Sequence, residues 1–364
     1  MNDYPYLRAA NDLAERREHA FAACNTCTGF ESAFSRLFDP RSLSRLYLLK
    51  GGPGVGKSTL MKRAAESAEK SGRRVIRYHC SSDPRSLDAV SVPESRVAVV
   101  DATSPHTLDP VFAGAKDVIL DMGTAWDLKK LRENADVIVR LSDEKAAFYR
   151  TAYRMLAASA EVETEARSLA AGAVRKEKMI AAAARLCKKI KAAAGTGDEV
   201  ERIYSANSRD GRVRFFTPEK KAETLLFVTD CKGTGKAFLQ KLHELCAEEG
   251  VGFERGIDPT LPRDTESLFF PSSSVCVSAY DADFAAALDK AGRPYGVINT
   301  ARFFDPELFR AHRTRFRFLE KCKDALLEEA FGAFAAAGEK HAALEAVYAE
   351  ATDYRKVEKM AVRL

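Results

Sequence analysis

No stretch of this chain approaches the ~18–20 consecutive apolar residues that a membrane-spanning helix needs. The opening segment, MNDYPYLRAANDLAERRE, is polar and charged and lacks the apolar centre of a secretory signal. Cysteines are few and irregularly spaced, 8 in a chain of 364 residues. A chain of that length does not need stapling, so reduced thiols are expected rather than a disulfide framework. These absences set the expectation of a cytoplasmic protein with no membrane partner. Neither charge sign dominates: 57 Lys and Arg against 52 Asp and Glu leave a net +5. That excess is not gathered into the basic stripe of a nucleic-acid binder, which disfavours nucleic acid as a partner.

The stretch LYLLKGGPGVGKSTLM (46–61) carries the strongest signal. An apolar run, Leu46 to Leu49, leads into G-x-x-x-x-G-K-S, with Gly51, Gly56, Lys57 and Ser58 at the defining positions. Glycines let a backbone curl until its N–H groups face phosphate oxygens. Gly51, Gly52, Pro53, Gly54, Val55, Gly56, Lys57, Ser58 and Thr59 are therefore the candidate phosphate cradle. Lys57 would supply a point charge to the β- and γ-phosphates, and Ser58 a hydroxyl to Mg²⁺. The helix expected from Ser58 to about Lys70 adds a favourable dipole.

A damaged version of the same pattern stands at 227–238, FVTDCKGTGKAF. Gly54 aligns with Gly233, Gly56 with Gly235 and Lys57 with Lys236, but Gly51 becomes Asp230 and Ser58 becomes Ala237. Downstream, Pro84 and Arg85 meet Pro262 and Arg263, Pro93 meets Pro271, and Val97 and Val99 meet Val275 and Val277. WDLKKLR (126–132) meets FDPELFR (304–310), and Lys178-Met179 meets Lys359-Met360. The expectation is a tandem duplication: residues 1–195 with the intact loop, and residues 196–364 as a degenerate copy. The break at AAAGTGDEV (192–200) marks the boundary.

The expected fold class is α/β, a duplicated phosphate-loop NTPase with parallel sheets and flanking helices. Strands are expected at 73–79, 96–101 and near 117–120. Phe148, Ala152, Met155 and Ser159 share helical spacing, as do Leu319, Cys322, Leu326, Ala330 and Phe334. Each half is therefore expected to carry its own long helical hairpin with a packed stripe.

Asp101 closes the apolar run Val97 to Val100 and suits the acid that holds a magnesium shell. Asp83 could act as a base or orient a substrate, Arg85 could meet phosphate, and His106 could contact the γ-phosphate. In the second copy Asp83 becomes Leu261, Asp101 becomes Ala279 and His106 becomes Phe284, whereas Pro84 and Arg85 persist. That joint loss beside the broken loop points the three polar residues toward nucleotide chemistry and Arg85 toward structure. Arg132, Arg140 and Arg255 are open candidates for an arginine finger. C-N-T-C (24–27) lacks a second pair or a histidine cluster, so zinc and redox roles are set aside. No N-K-x-D stretch reads guanine, which favours ATP, and no L-S-G-G-Q stretch marks a transporter ATPase.

The segments KGGPGVGKSTLMKR, YHCSSDPRSLDAV, VVDATSPHTLDP and DVILDMGTAWDLKKLREN resemble a family of uncharacterised bacterial P-loop ATPases built from two tandem halves. The resemblance implies ATP binding, hydrolysis or phosphoryl transfer, and a cytoplasmic location. Members of that family often keep a usable second loop, and this chain departs from them at Asp230 and Ala237. The leading expectation is thus a Mg-ATP-dependent ATPase with one active site. The alternatives are a small-molecule or nucleotide kinase using Asp83 as base, and an ATP-gated binding module with little turnover. A small-molecule or protein partner is expected beside ATP, and no residue names it.

Overall fold

A computed structural model describes residues 12, 13, 15 and 17–361; most of the polar opening segment read above, and residues 362–364, lie outside it. The first sheet takes its strands from β1 (Glu18–Phe21), β4 (Arg45–Lys50), β5 (Ile76–His79), β6 (Leu87–Val92), β7 (Val97–Asp101) and β8 (Asp117–Asp121), with the hairpin β2 (Ala23–Thr26) and β3 (Gly29–Ser32) beside it. Its order is β1-β5-β6-β7-β4-β8. Strand β4 lies between β7 and β8, parallel to both. Leu46, Leu48 and Leu49 are buried, the near-continuous apolar run of a strand covered on both faces.

The sheet is mixed rather than all parallel, which corrects the sequence reading. The connector between the two expected strands contains β6, antiparallel to both β5 and β7. The reversal comes from the turn before it. The Asp83 carboxylate accepts from the Arg85 N–H at 3.2 Å, and the Ser86 N–H donates to the Asp83 carbonyl at 2.9 Å. An Asx-type turn of this kind folds the chain back on itself.

The second sheet comprises β9 (Glu199–Arg202), β12 (Thr224–Val228), β13 (Phe253–Ile257), β14 (Thr265–Phe270), β15 (Val275–Ala279) and β16 (Gly296–Ile298), with a hairpin of β10 (Ser205–Ser208) and β11 (Gly211–Arg214). Its order, β9-β13-β14-β15-β12-β16, and its strand directions repeat those of the first sheet.

The longer helices are α1 (Lys57–Lys70), α2 (Ala135–Ala171), α3 (Lys176–Ala193), α4 (Thr234–Glu248), α5 (Ala282–Lys290), α6 (Arg313–Glu350) and α7 (Tyr354–Ala361). The expected hairpins do not form within each half. Instead α2, of 37 residues, lies antiparallel along α6, of 38 residues, with Glu144 paired to Lys340 and Glu165 to Arg315. Their seam holds Ala152, Leu156, Ala330, Ala333 and Phe334. The small alanines let the two backbones approach closely around one aromatic ring.

The shorter helices cross over. On α3, Met179, Ala183, Cys187 and Ile190 pack with Phe238, Leu242 and Phe270 of the second sheet's layer. On α7, Val357 packs with Val55, Leu60 and Met61 of the first. The division at residue 195 is therefore one of chain and not of space. The crossings are reciprocal: the Asp127 N–H donates to the Ala351 carbonyl at 2.7 Å, and the Asp305 N–H to the Ala173 carbonyl at 2.7 Å. Between the hairpins, Asn25 Nδ2 donates to the Asn207 carbonyl at 2.8 Å and Asn207 Nδ2 returns the bond at 2.9 Å. Among the described residues no helix is long and apolar enough to cross a membrane.

Candidate active site

Residues Gly51–Gly56 connect the end of β4 to the first turn of α1. Gly54 and Gly56 stand at φ +70 and +94, in the region L side chains avoid. A Cβ at Gly51 would sit 2.9 Å from the Met122 Cβ. Val55 turns inward and is buried in the core under the loop, Pro53 is half-buried, and Thr59 is exposed. Lys57 reaches back inside the curl: its ammonium donates to the carbonyls of Gly51 at 2.6 Å and Gly52 at 2.9 Å. It also lies 3.4 Å from Asp101 Oδ2.

Asp101 arrives from the neighbouring strand, in register with Leu49. Its carboxylate accepts from the Thr103 N–H at 3.0 Å and from the Thr103 hydroxyl at 2.5 Å. Burial raises the Asp101 carboxyl above its ordinary range, Lys57 opposes that rise, and nearby Asp88 adds to it. The Ser58 hydroxyl oxygen accepts from the Leu87 N–H at 3.0 Å. Lys57 and Asp101 thus meet at 3.4 Å, and Ser58 follows Lys57 in the first turn of α1 with its hydroxyl on the Leu87 N–H. The β7 carboxyl end and the α1 amino end build the Lys57–Asp101 contact together.

Asp83 and His106 sit differently. Asp83 Oδ1 accepts from Arg85 Nε at 2.6 Å, which gives Arg85 a structural partner. His106 is buried, stacked on Phe34 with ring centroids 4.6 Å apart, and its Nε2 lies 3.1 Å from Asp88. Burial alone would lower the His106 imidazole, but the Asp88 carboxylate lifts it above its usual value. At the corresponding place in the second sheet Phe284 stacks on Phe216 at 3.9 Å. The His106 ring therefore occupies a buried position between Phe34 and Asp88. Asp88 carried no signal of its own in the sequence.

Over the loop lies the carboxyl end of α6. A Cβ at Gly54 would fall 2.4 Å from the Glu345 carbonyl oxygen, and one at Gly52 would fall 2.8 Å from the Tyr348 ring. Tyr348 in turn lies against Trp126 at 5.6 Å. Burial pushes the Glu345 carboxyl up; Asp83 adds to this, and Lys57 and Arg209 oppose it. Among the arginines considered from sequence, Arg255 is buried and bound to Glu201, Thr265 and two backbone carbonyls. Arg132 and Arg140 are exposed.

The corresponding loop of the second sheet is shorter and closed. Residues Thr229–Gly233 join β12 to α4, and Gly235 is already helical. The Asp230 carboxylate accepts from the N–H groups of Gly233 at 2.9 Å, Gly235 at 2.7 Å and Lys236 at 3.3 Å. The donors that could face a bound anion are thereby spent on an internal carboxylate. Lys236 Nζ is held by Glu163 at 2.8 Å and Asp258 at 3.0 Å. Burial would raise Glu163, but Lys236 and Arg167 bring it down to about 2, and Asp258 is likewise held well below the carboxylate range.

A family described as nephrocystin 3, N-terminal, matches residues 25–177, less than half of the chain. The match runs from β2 to the start of α3 and includes the Gly51–Ser58 loop. That family differs from the bacterial ATPase family the motifs resemble, and the match speaks to neither organism nor activity. No curated protein and no solved structure matches the chain.

Proposed function

We propose that this protein is a P-loop ATPase with one working Mg-ATP site, formed by residues 51–59 with Lys57 and Asp101, and a second loop of common origin that has lost its chemistry. The contrast between the two loops carries this reading. In one, Lys57 and Asp101 meet inside a glycine curl; in the other, Asp230 fills the curl and acids hold the lysine. The matching sheet orders and reciprocal contacts support the duplication.

The residues present suit the ligand. The first-turn N–H groups of α1 have no carbonyl partners within their own helix, and Gly54 and Gly56 hold the positive φ that lets the loop curl. Lys57 would exchange two backbone carbonyls for β- and γ-phosphate oxygens. Ser58 and Asp101 would hold the magnesium shell, whose charge helps neutralise the phosphates. Among the described residues no three His, Cys, Asp or Glu side chains gather as a metal cluster. The ion would thus draw its other ligands from phosphate and water. In hydrolysis a water oxygen bonds to the γ-phosphorus and the bond to the bridging oxygen breaks. ADP and inorganic phosphate leave, and the water's proton passes to solvent. A cytoplasmic location belongs to the same proposal.

The test is Mg-ATP binding stoichiometry by calorimetry on the wild type, Lys57→Ala and Lys236→Ala. One site, lost only with Lys57→Ala, is the expected result. A site that vanishes with Lys236→Ala instead would sink the proposal.

The α6 end seated on Gly52 and Gly54 favours a second reading, an ATP-gated binding module. Tight binding with turnover slower than about one per hour would select it. Asp83 as a kinase base has less support, because Arg85 already holds its carboxylate.

A further inference from the structure

We propose that Arg209, carried by the turn between β10 and β11, is the guanidinium that meets the terminal phosphate of a nucleoside triphosphate bound at the Gly51–Ser58 loop. This rests on the reading of that loop as a triphosphate site.

Three observations place Arg209 there. Its N–H donates to the Ser82 carbonyl at 3.2 Å, so the turn is pinned to the segment that bears Asp83. Its side chain lies on α6 at Gly338, where a Cβ would come within 2.8 Å of Cζ and 2.9 Å of Nε. A glycine inside a long helix is unfavourable relative to alanine, and here it opens a slot for the guanidinium. Finally, Arg209 at Gly338 and the Gly54 contact at Glu345 lie about two turns apart, roughly 10 Å along α6, and both Lys57 and Arg209 oppose the upward shift of the Glu345 carboxyl. The two cations therefore border the same end of α6, which lies on Gly54.

Arg209 is only loosely committed. Its partner is Asp83 Oδ2 at 3.9 Å, and Arg85 holds that carboxylate more closely, at 2.6 Å. A long, partly exposed pair of this kind contributes little, so the guanidinium is easily redirected.

The second sheet supplies an internal control. The reciprocal bonds of Asn25 and Asn207 set the two hairpins in correspondence. Cys27 then takes the place of Arg209, and its N–H donates to the Thr260 carbonyl at 3.0 Å as Arg209 does to Ser82. Along α2 the place of Gly338 is taken by Ala160. The arginine and the slot are both missing at these two positions, and the guanidinium beside the closed loop is instead Arg167, which lies on Gly233 and pairs with Glu163 and Asp264.

The experiment compares wild type, Arg209→Ala, Arg209→Lys, Asp83→Asn and Lys57→Ala for Mg-ATP turnover, thermal midpoint, and ATP and ADP affinity by calorimetry. Arg209→Ala is expected to lower kcat by about a thousandfold or more, within the range of guanidinium contacts to a transferring phosphoryl group. It should lower the ATP-to-ADP affinity ratio about tenfold, with ADP affinity and thermal midpoint unchanged. Arg209→Lys should restore little, because an ammonium lacks the planar fork. Wild-type kcat and an unchanged affinity ratio in Arg209→Ala would overturn the proposal. So would an equal loss in Asp83→Asn, which would show that Arg209 acts only by holding Asp83. ATP binding that survives Lys57→Ala overturns the reading of the loop, and Arg209 falls with it.

Discussion

The Tyr354 hydroxyl donates to the Gly54 carbonyl at 2.7 Å, joining residues 300 positions apart. Together with Glu345 and Tyr348 it fastens the α6–α7 corner to the loop. A ligand that needs the curl must compete with these contacts. Tyr354→Phe removes one hydrogen bond, worth about 0.5–1.5 kcal/mol. ATP affinity is therefore expected to rise about two- to tenfold while the thermal midpoint falls slightly. Calorimetry and melting curves check both, and weaker ATP binding would show that the corner helps hold the ligand.

Two glycines of the loop should respond differently to alanine. At Gly54 the new Cβ meets the Glu345 carbonyl oxygen at 2.4 Å, whereas at Gly56 the nearest atom is 3.6 Å away. Both have positive φ, for which a side chain costs roughly 1–2 kcal/mol. Gly56→Ala should lose about that much in denaturant melts. Gly54→Ala should lose at least ~1 kcal/mol more, because α6 must also give way. Equal losses would mean that α6 rests only lightly on the loop.

Giving the second loop a glycine at Asp230 should not create a site. Asp230→Gly strips three N–H groups of their acceptor, at a cost of about 1–3 kcal/mol. Lys236 remains with Glu163 and Asp258, so Mg-ATP stoichiometry should stay at one. A second binding event would show that Asp230 alone keeps that loop shut.

A buried histidine pair sets an acid limit on stability. His79 Nδ1 lies 2.6 Å from the Pro84 carbonyl, which only accepts, so Nδ1 carries the hydrogen. His79 Nε2 then accepts from His19 Nδ1 at 2.8 Å, an assignment that makes both rings neutral. Burial pushes His79 down to about 3 and His19 down to about 2, with the neighbouring His79 lowering His19 further. The unfolded chain takes up protons below about pH 6.5 while the folded pair stays neutral. Stability is thus fully present above that pH and lost as pH falls toward 3. The slope is at most ~2.7 kcal/mol per pH unit for two groups. His106 works with opposite sign: its raised value stabilises below about pH 6.5 and that contribution fades as pH rises through it. His19→Phe should roughly halve the loss between pH 6 and pH 4 in denaturant titrations.

The sequence revealed local features better than distant ones. The strand, glycine loop and helix around Lys57 and Ser58 were readable because they are consecutive, and Asp101 because it closes an apolar run that forms a strand. The stripes of α2 and α6 were readable as helical faces, but helical spacing does not say which helix a face meets. Ala152 and Phe334 could each have packed within their own half; only the fold shows that they pack together. β6 was lost inside a connector, because the turn that reverses it depends on one aspartate carboxylate. His106 looked functional as a lone histidine after a strand, and the stacked ring of Phe34 shows why a core would keep it. Arg209 gave no signal, since nothing local distinguishes it from an ordinary turn arginine.

The exchange of α3 and α7 also makes the molecule asymmetric in time. When the second sheet emerges from a ribosome, α3 has already been made and waits to cover it. The first sheet has no such advantage: the Val357 side of its core is supplied only after the intervening ~300 residues, roughly 15–60 s at ~5–20 residues per second. During that interval Val55, Leu60 and Met61 pack with first-half residues such as Val99, Leu120 and Met122 but lack the Val357 side of their cluster, and the nascent chain presents its glycine loop before the corner that rests on it exists.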